Sequence, residues 1–225
     1  GLPPVPAHEE TLTVMWTVSE AKAIRRCQKQ WFYQYRFRAA LATKVPARRE
    51  AFVLSTFQTV EQWRGSVVDA AIEEILVPAL NQRREILPSE LARDADALFD
   101  RQLAFARANR VREEGMAKSH VGAEFAALLA VEEEGMISDE EVARARADVR
   151  TALRNLTKIP GLREALRAAR RVDAQTTFHF KIREQSMGVV PDLVVFYQDR
   201  PPLIIDWKVH FFGLRDARIQ ASFNN

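Results

Sequence analysis

The chain has 225 residues, 47% of hydrophobic type and 28% charged, with a formal net charge of +3, which is enough apolar material for one sizeable core. No apolar run approaches the ~20 residues of a membrane span, and Gly1 to Glu10, with three prolines and no basic or apolar block, lacks the pattern of a signal peptide, so a folded cytoplasmic protein with no membrane partner is expected. A lone cysteine, Cys27, excludes an internal disulfide and a cysteine-built zinc or iron–sulfur site within these residues, leaving the chemistry to carboxylates, lysines and hydroxyls.

In chain order, Thr17-Val-Ser-Glu20 has the spacing of a capping box and predicts a helix running to about Phe37. Its surroundings are strongly basic. From Lys22 to Arg49 there are nine basic residues and no acidic one, interleaved with Trp31, Phe32, Tyr33, Tyr35 and Phe37. Such a block offers charge to phosphates and flat rings to bases, with Lys22, Arg25, Arg26, Lys29 and Arg36 as the candidate nucleic-acid contacts. The same segment also suits a solvated helix whose rings face the core, and Cys27 reads as a small buried residue on a stripe with Ile24 and Trp31.

After a loop around Pro46, the apolar positions Val53, Phe57, Val60, Val67, Val68, Ala71, Ile72 and Ile75 predict a long amphipathic helix over 51–79, interrupted at Gly65. Residues 81–171 are rich in Ala, Leu, Glu and Arg and predict four or more helices, with breaks near Pro88, Gly115 to Ser119, Gly135 to Ser138 and Pro160-Gly161. The charge run Glu132-Glu133-Glu134 reads as a solvated face. Three strands then follow, over Asp173 to Ile182, Gly188 to Tyr197 and Pro202 to Val209, and a helical pattern returns over Leu214 to Phe223.

A carboxylate is costly to bury unless it is paired or bound to a cation. Asp192 lies between Val189-Val190-Pro191 and Leu193-Val194-Val195, and Asp206 directly follows Leu203-Ile204-Ile205. If these strands are antiparallel neighbours, both acids reach one end of a sheet, where a hard divalent cation can bridge them. Lys208 then shares a face with Asp206 by alternation, placed to steer an attacking water and to offset charge on a phosphate. Taken singly, Asp206 and Lys208 also fit a surface ion pair at a strand end, Asp192 a turn cap, and Asp69 and Glu73 solvated helix acids. His179 and His210 read as structural.

The run Gly188-Val-Val-Pro-Asp192, followed fourteen residues later by Asp206-Trp-Lys208, resembles the Pro-Asp then Asp/Glu-x-Lys pattern of the PD-(D/E)XK nuclease superfamily. The basic and aromatic stretch Arg25 to Arg36 is similar to the opening helix of its RecB-like and CRISPR-adaptation-type members. Gly65-Ser-Val-Val-Asp69 resembles their Gly-x-x-x-His helix, and Gln220 stands where they begin Gln-x-x-x-Tyr. The similarity covers about half the chain, at both ends. Asp69 replaces the family's histidine, Asn224 replaces its tyrosine, and Cys27 is not followed by the further cysteines of an iron–sulfur cluster.

This resemblance implies an α/β fold with a restriction-endonuclease-like core, a small mixed sheet flanked by helices, with 81–171 as a large helical insertion in a single nuclease domain. It implies hydrolysis of DNA phosphodiesters with Mg2+ or Mn2+, RNA being the other polynucleotide open to it. Asp69, Asp192 and Asp206 would hold the metal, Lys208 would orient water, and Gln220 would position lysine or phosphate. Partners would be DNA and other subunits of a repair or antiviral-defence complex. Two other readings stand beside it: a nuclease-fold subunit that binds nucleic acid without cutting, and a helical protein-interaction module.

Overall fold

The computed structural model describes residues 16–41, 44–183 and 185–207. The chain is mixed α/β. A short strand β1 (Trp16–Thr17) leads into α1 (Val18–Arg26), whose N-cap is Thr17: its hydroxyl accepts from the Glu20 amide at 3.1 Å. The expected single helix to Phe37 is broken at Cys27, where the backbone is extended (φ −160°, ψ 109°) before α2 (Gln28–Trp31) and a π-helical stretch over Phe32–Phe37. Cys27 is exposed rather than buried, and its Sγ takes the Gln30 amide at 3.4 Å, acting as the cap of α2.

Next come α3 (Pro46–Thr56), opened by a proline that needs no amide partner at a first turn, and α4 (Val60–Ala71). The long helix expected over 51–79 is therefore divided, but at Phe57–Thr59 and not at Gly65. Two things hold the division. Gln58 is stitched to the far side of the chain, its amide donating to the Ala127 carbonyl and its carbonyl accepting from the Leu129 amide, both at 2.9 Å. Thr59 and Gln62 then form a reciprocal capping box that starts α4 afresh. Beyond α4 the rod continues through a π-helical stretch, Ile72–Leu76, into α5 (Val77–Asn81). Pro78 explains the wider turn, since a proline within a helix meets the carbonyl four residues back, that of Glu74, and the extra residue makes room.

Residues expected to be helical throughout form α6 (Pro88–Arg107), α7 (Lys118–Val121), α8 (Leu129–Glu134), α9 (Asp139–Leu156) and α10 (Leu162–Arg167); the breaks at Pro88, Gly135 to Ser138 and Pro160-Gly161 fall as expected, whereas α7 begins within the break expected over Gly115 to Ser119 and a further, unexpected interruption separates it from α8. Ser138 and Glu141 close a second capping box at the start of α9.

Among the described residues two three-stranded sheets stand in place of one, ordered β1-β4-β3 and β2-β5-β6. Their strands are β2 (Arg171–Ala174), β3 (Phe178–Ile182), β4 (Gln185–Val189), β5 (Leu193–Phe196) and β6 (Leu203–Ile205). Two of the three expected strands are each cut in half. Gln175, at φ 51°, turns the chain between β2 and β3, and Val190–Asp192 separate β4 from β5. The first sheet is mixed, β4 running parallel to β1 and antiparallel to β3, whereas the second is antiparallel.

One core joins helices to sheet. Trp63, fully buried, packs at 4.5 Å between ring centroids on Phe99 of α6, and Val67, Ala71, Val149, Val172 and Val195 belong to the same cluster. Trp63 Nε1 donates to Gln102 Oε1 at 2.8 Å, and Gln102 Nε2 donates to the Ala123 carbonyl at 2.6 Å, so this buried amide is satisfied at both ends. The helical segment 81–171 thus shares its interior with β2 and β5. Asn81 fastens the rod to the sheet, donating to the Val172 carbonyl at 2.8 Å and accepting its amide at 2.9 Å. Among the described residues no helix is long and apolar enough to cross a membrane.

Candidate metal site and nucleic-acid interface

β5 and β6 pair antiparallel with Leu193 opposite Ile205, Val194 opposite Ile204 and Val195 opposite Leu203. Continued one step, that register sets Asp192 opposite Asp206 at the end of the sheet. The two acids meet different surroundings. Asp192 is half-buried: its Oδ2 accepts from the Trp207 amide at 2.8 Å and its Oδ1 from Gln175 Nε2 at 3.4 Å, while its carbonyl takes the Gln175 amide at 3.3 Å. Asp206 is exposed, and so are Leu203 and Ile204, the latter at 63%. Among the described residues the apolar run before Asp206 is therefore an exposed edge strand, and burial does not force that acid to find a cation.

Asp69 reaches the same place from the rod. Half-buried between buried Val68 and Ala70, its Oδ1 accepts from Trp207 Nε1 at 2.8 Å across 138 residues of chain. Trp207 thus joins two candidate ligands, its amide on Asp192 and its indole on Asp69. The middle residue of an Asp-x-Lys triplet carries no sequence signal for such a role, and neither does Gln175. Gly65 has no part in bringing the rod close: a Cβ there would meet nothing within 4 Å.

The donors offered by Asp69, Asp192 and Asp206 are all hard carboxylate oxygens, the chemistry that suits Mg2+ or Mn2+. Among the described residues, however, no group of three or more His, Cys, Asp or Glu side chains is spaced to hold a metal. The fit is to the facing pair Asp192 and Asp206, with Asp69 linked to them through Trp207. Lys208 and Gln220, and with them His210 and Asn224, lie outside the described residues.

The basic block divides in two. Lys22, Arg25, Arg26 and Lys29 are exposed on α1 and α2. Arg36 instead sits 2.5 Å from the carboxylate of Glu20, which is 3% exposed and also accepts from Trp31 Nε1 at 3.1 Å, so this guanidinium balances a buried charge. Arg38 donates to the Ser55 hydroxyl at 2.7 Å and Arg48 to the Phe37 carbonyl at 2.7 Å. Arg49 donates to four carbonyls, those of Ala40, Val111, Glu113 and Met116, and its burial, followed by the nearby Arg112 guanidinium, pulls its pKa below the usual arginine value. A charge count along the sequence cannot separate such staples from cations that face solvent. No family model, curated protein or solved structure matches the chain.

Proposed function

We propose that this chain is a metal-dependent nuclease that hydrolyses DNA phosphodiester bonds by the PD-(D/E)XK mechanism, on a restriction-endonuclease-like core. The observation that carries the reading is the β5–β6 register, which sets Asp192 and Asp206, the two acids of the motif, opposite each other at one sheet end. Asp69, brought in from α4 through Trp207, is the third member. A divalent ion bound there supplies Lewis-acid polarisation of a phosphate and a water of lowered pKa. Asp192 and Asp206 hold it, Gln175 and the Trp207 amide fix the angle of the Asp192 carboxylate, Lys208 orients the water, and Gln220 positions lysine or phosphate. Lys22, Arg25, Arg26 and Lys29 hold the polynucleotide backbone, in a role suited to repair or antiviral defence alongside other subunits.

A specific observation favours a second reading, a nuclease-fold subunit that binds without cutting: Asp192 accepts from Trp207 and Gln175 and Asp69 from Trp207, so two of the three acids have protein donors without an ion, while each Asp192 oxygen keeps a second lone pair that an ion could take. One experiment separates the two. Labelled linear, circular and single-stranded DNA, with an RNA arm, are incubated with and without Mg2+ or Mn2+. The nuclease reading expects metal-dependent products that disappear in Asp192→Ala and Asp206→Ala and form orders of magnitude more slowly in Lys208→Ala. Cutting at the wild-type rate in all three variants overturns it, and binding without products in the wild type selects the second reading.

A further inference from the structure

Between the first helices and the body of the protein runs a groove of about 2060 Å³. It is lined by α2 with the π-helical stretch after it, by α3, by Lys118 and Ser119 of α7, by Ala123 and Phe125 to Ala127, and by Gln62, Ser66 and Ala70 of α4. Those three recur at four-residue steps, so they form one stripe, and Asp69, three residues past Ser66, stands at the edge of that stripe. The groove therefore runs beside the rod that carries a candidate ligand.

Its lining combines three chemistries. Phe32 and Tyr33 are 41% and 37% exposed, packed edge to face with ring centroids 5.5 Å apart, and Tyr33 meets Phe37 in the same way at 5.3 Å. These rings prop one another upright instead of sinking into the core. The basic side chains Arg26, Lys29, Arg38 and Lys118 line the groove against a single acid among the described residues, Glu50, whose carboxylate is taken by Arg112 at 2.6 Å. Amides of Gln28, Gln34 and Gln58 add groups that both donate and accept.

We infer that this groove binds a single-stranded polynucleotide, with bases stacked on Phe32 and Tyr33 and phosphates held by Lys29 of α2 and Lys118 of α7, both of which line it. Base stacking on exposed rings along a positive groove is the physical basis of single-strand binding. A duplex cannot use these rings, because its bases are stacked inside and show only their edges in the grooves. Charge selects a polyanion over an apolar peptide, and the rings select unpaired bases over a duplex. The inference rests on the nuclease reading for its connection to cleavage, but binding itself requires no metal.

The test is fluorescence anisotropy on the full chain in EDTA, using labelled oligothymidylate and oligouridylate of about 12 nucleotides and a duplex of the same length. Either single strand is expected to bind at least about tenfold more tightly than the duplex, and Phe32→Leu with Tyr33→Leu to raise Kd about 10- to 100-fold. Lys118→Glu, at an exposed helix end in the groove lining, is expected to weaken binding and to lower the slope of log K against log salt by about 0.7. Duplex binding as tight as single-strand binding overturns the inference. So does wild-type affinity in both the ring variant and the Lys118 variant. Because the chelator removes all cleavage, an inactive wild type leaves this result standing, and a protein that cuts with metal but binds duplex as tightly as single strands sinks this inference while the nuclease reading survives.

Discussion

Trp207→Phe isolates the contact that joins the rod to the sheet end. Phenylalanine keeps a ring for the partly buried packing position and keeps the backbone amide that Asp192 accepts, but removes the Nε1–H that Asp69 takes at 2.8 Å. A hydrogen bond to a charged acceptor contributes about 1.5–3 kcal/mol. Asp69 is only half-buried, so water reaches it and the lower end applies, about 1.5 kcal/mol. For a chain of 225 residues that corresponds to a fall in Tm of about 3–6 °C. The assay is urea denaturation of the wild type, Trp207→Phe, Asp69→Ala and the double variant, closed as a cycle. The coupling energy is expected near 1 kcal/mol, within the range for residues in direct contact. Additivity within about 0.3 kcal/mol would refute the reasoning and make the two residues independent neighbours.

Gly65→Ala is expected to stabilise the protein by about 0.5–1 kcal/mol, because the position is helical with open space around it and alanine is the better helix former there, so an unchanged or lower Tm contradicts that placement. The Glu132 carboxyl is held below its usual pKa first by the Arg112 guanidinium and then by Asn109, so its contribution is present above the unfolded pKa of about 4.3 and is lost as pH falls through the lower folded value. Glu132→Gln should therefore lower Tm at pH 7, by an effect of at most about 1 kcal/mol, and the gap should close toward pH 3; a gap that widens in acid rejects the pairing. Charge reversal of Arg25 with Lys29 should flatten the salt dependence of polynucleotide binding by about one unit per lost contact, whereas reversal at Arg49 should instead unfold the loop it holds, which thermal melts distinguish from a binding defect.

The helical part of this chain was legible because its signals are local. Prolines, glycines and hydroxyl caps mark breaks within a turn of themselves, and Ser138 with Glu141 does what that spacing predicts. Thr17 and Glu20 show the limit. The threonine caps α1 as expected, but the glutamate is drawn to Trp31 and Arg36, partners 11 and 16 residues away. The division at Gln58 was missed for the same reason, since its hydrogen bonds go to Ala127 and Leu129. In the strand region alternation was visible, but Gln175, a residue with no turn signature, adopts a positive φ and halves a strand. At the candidate site the motif acids could be picked out by their neighbours and spacing. Trp207 and Gln175 could not, because a hydrogen-bond donor to a distant carboxylate leaves no trace in its own surroundings.

The bond from Trp207 to Asp69 spans 138 residues, and that span orders the chain in time as well as in space. Synthesis runs from the amino terminus, so the rod and the helices packed on it emerge before β6 exists. A nascent chain can therefore carry the basic helices and an ordered α4 while having no facing pair of acids at all. Whatever the sheet end does is withheld until translation has passed Trp207, so an incomplete product from the ribosome would carry the basic helices without the facing acids.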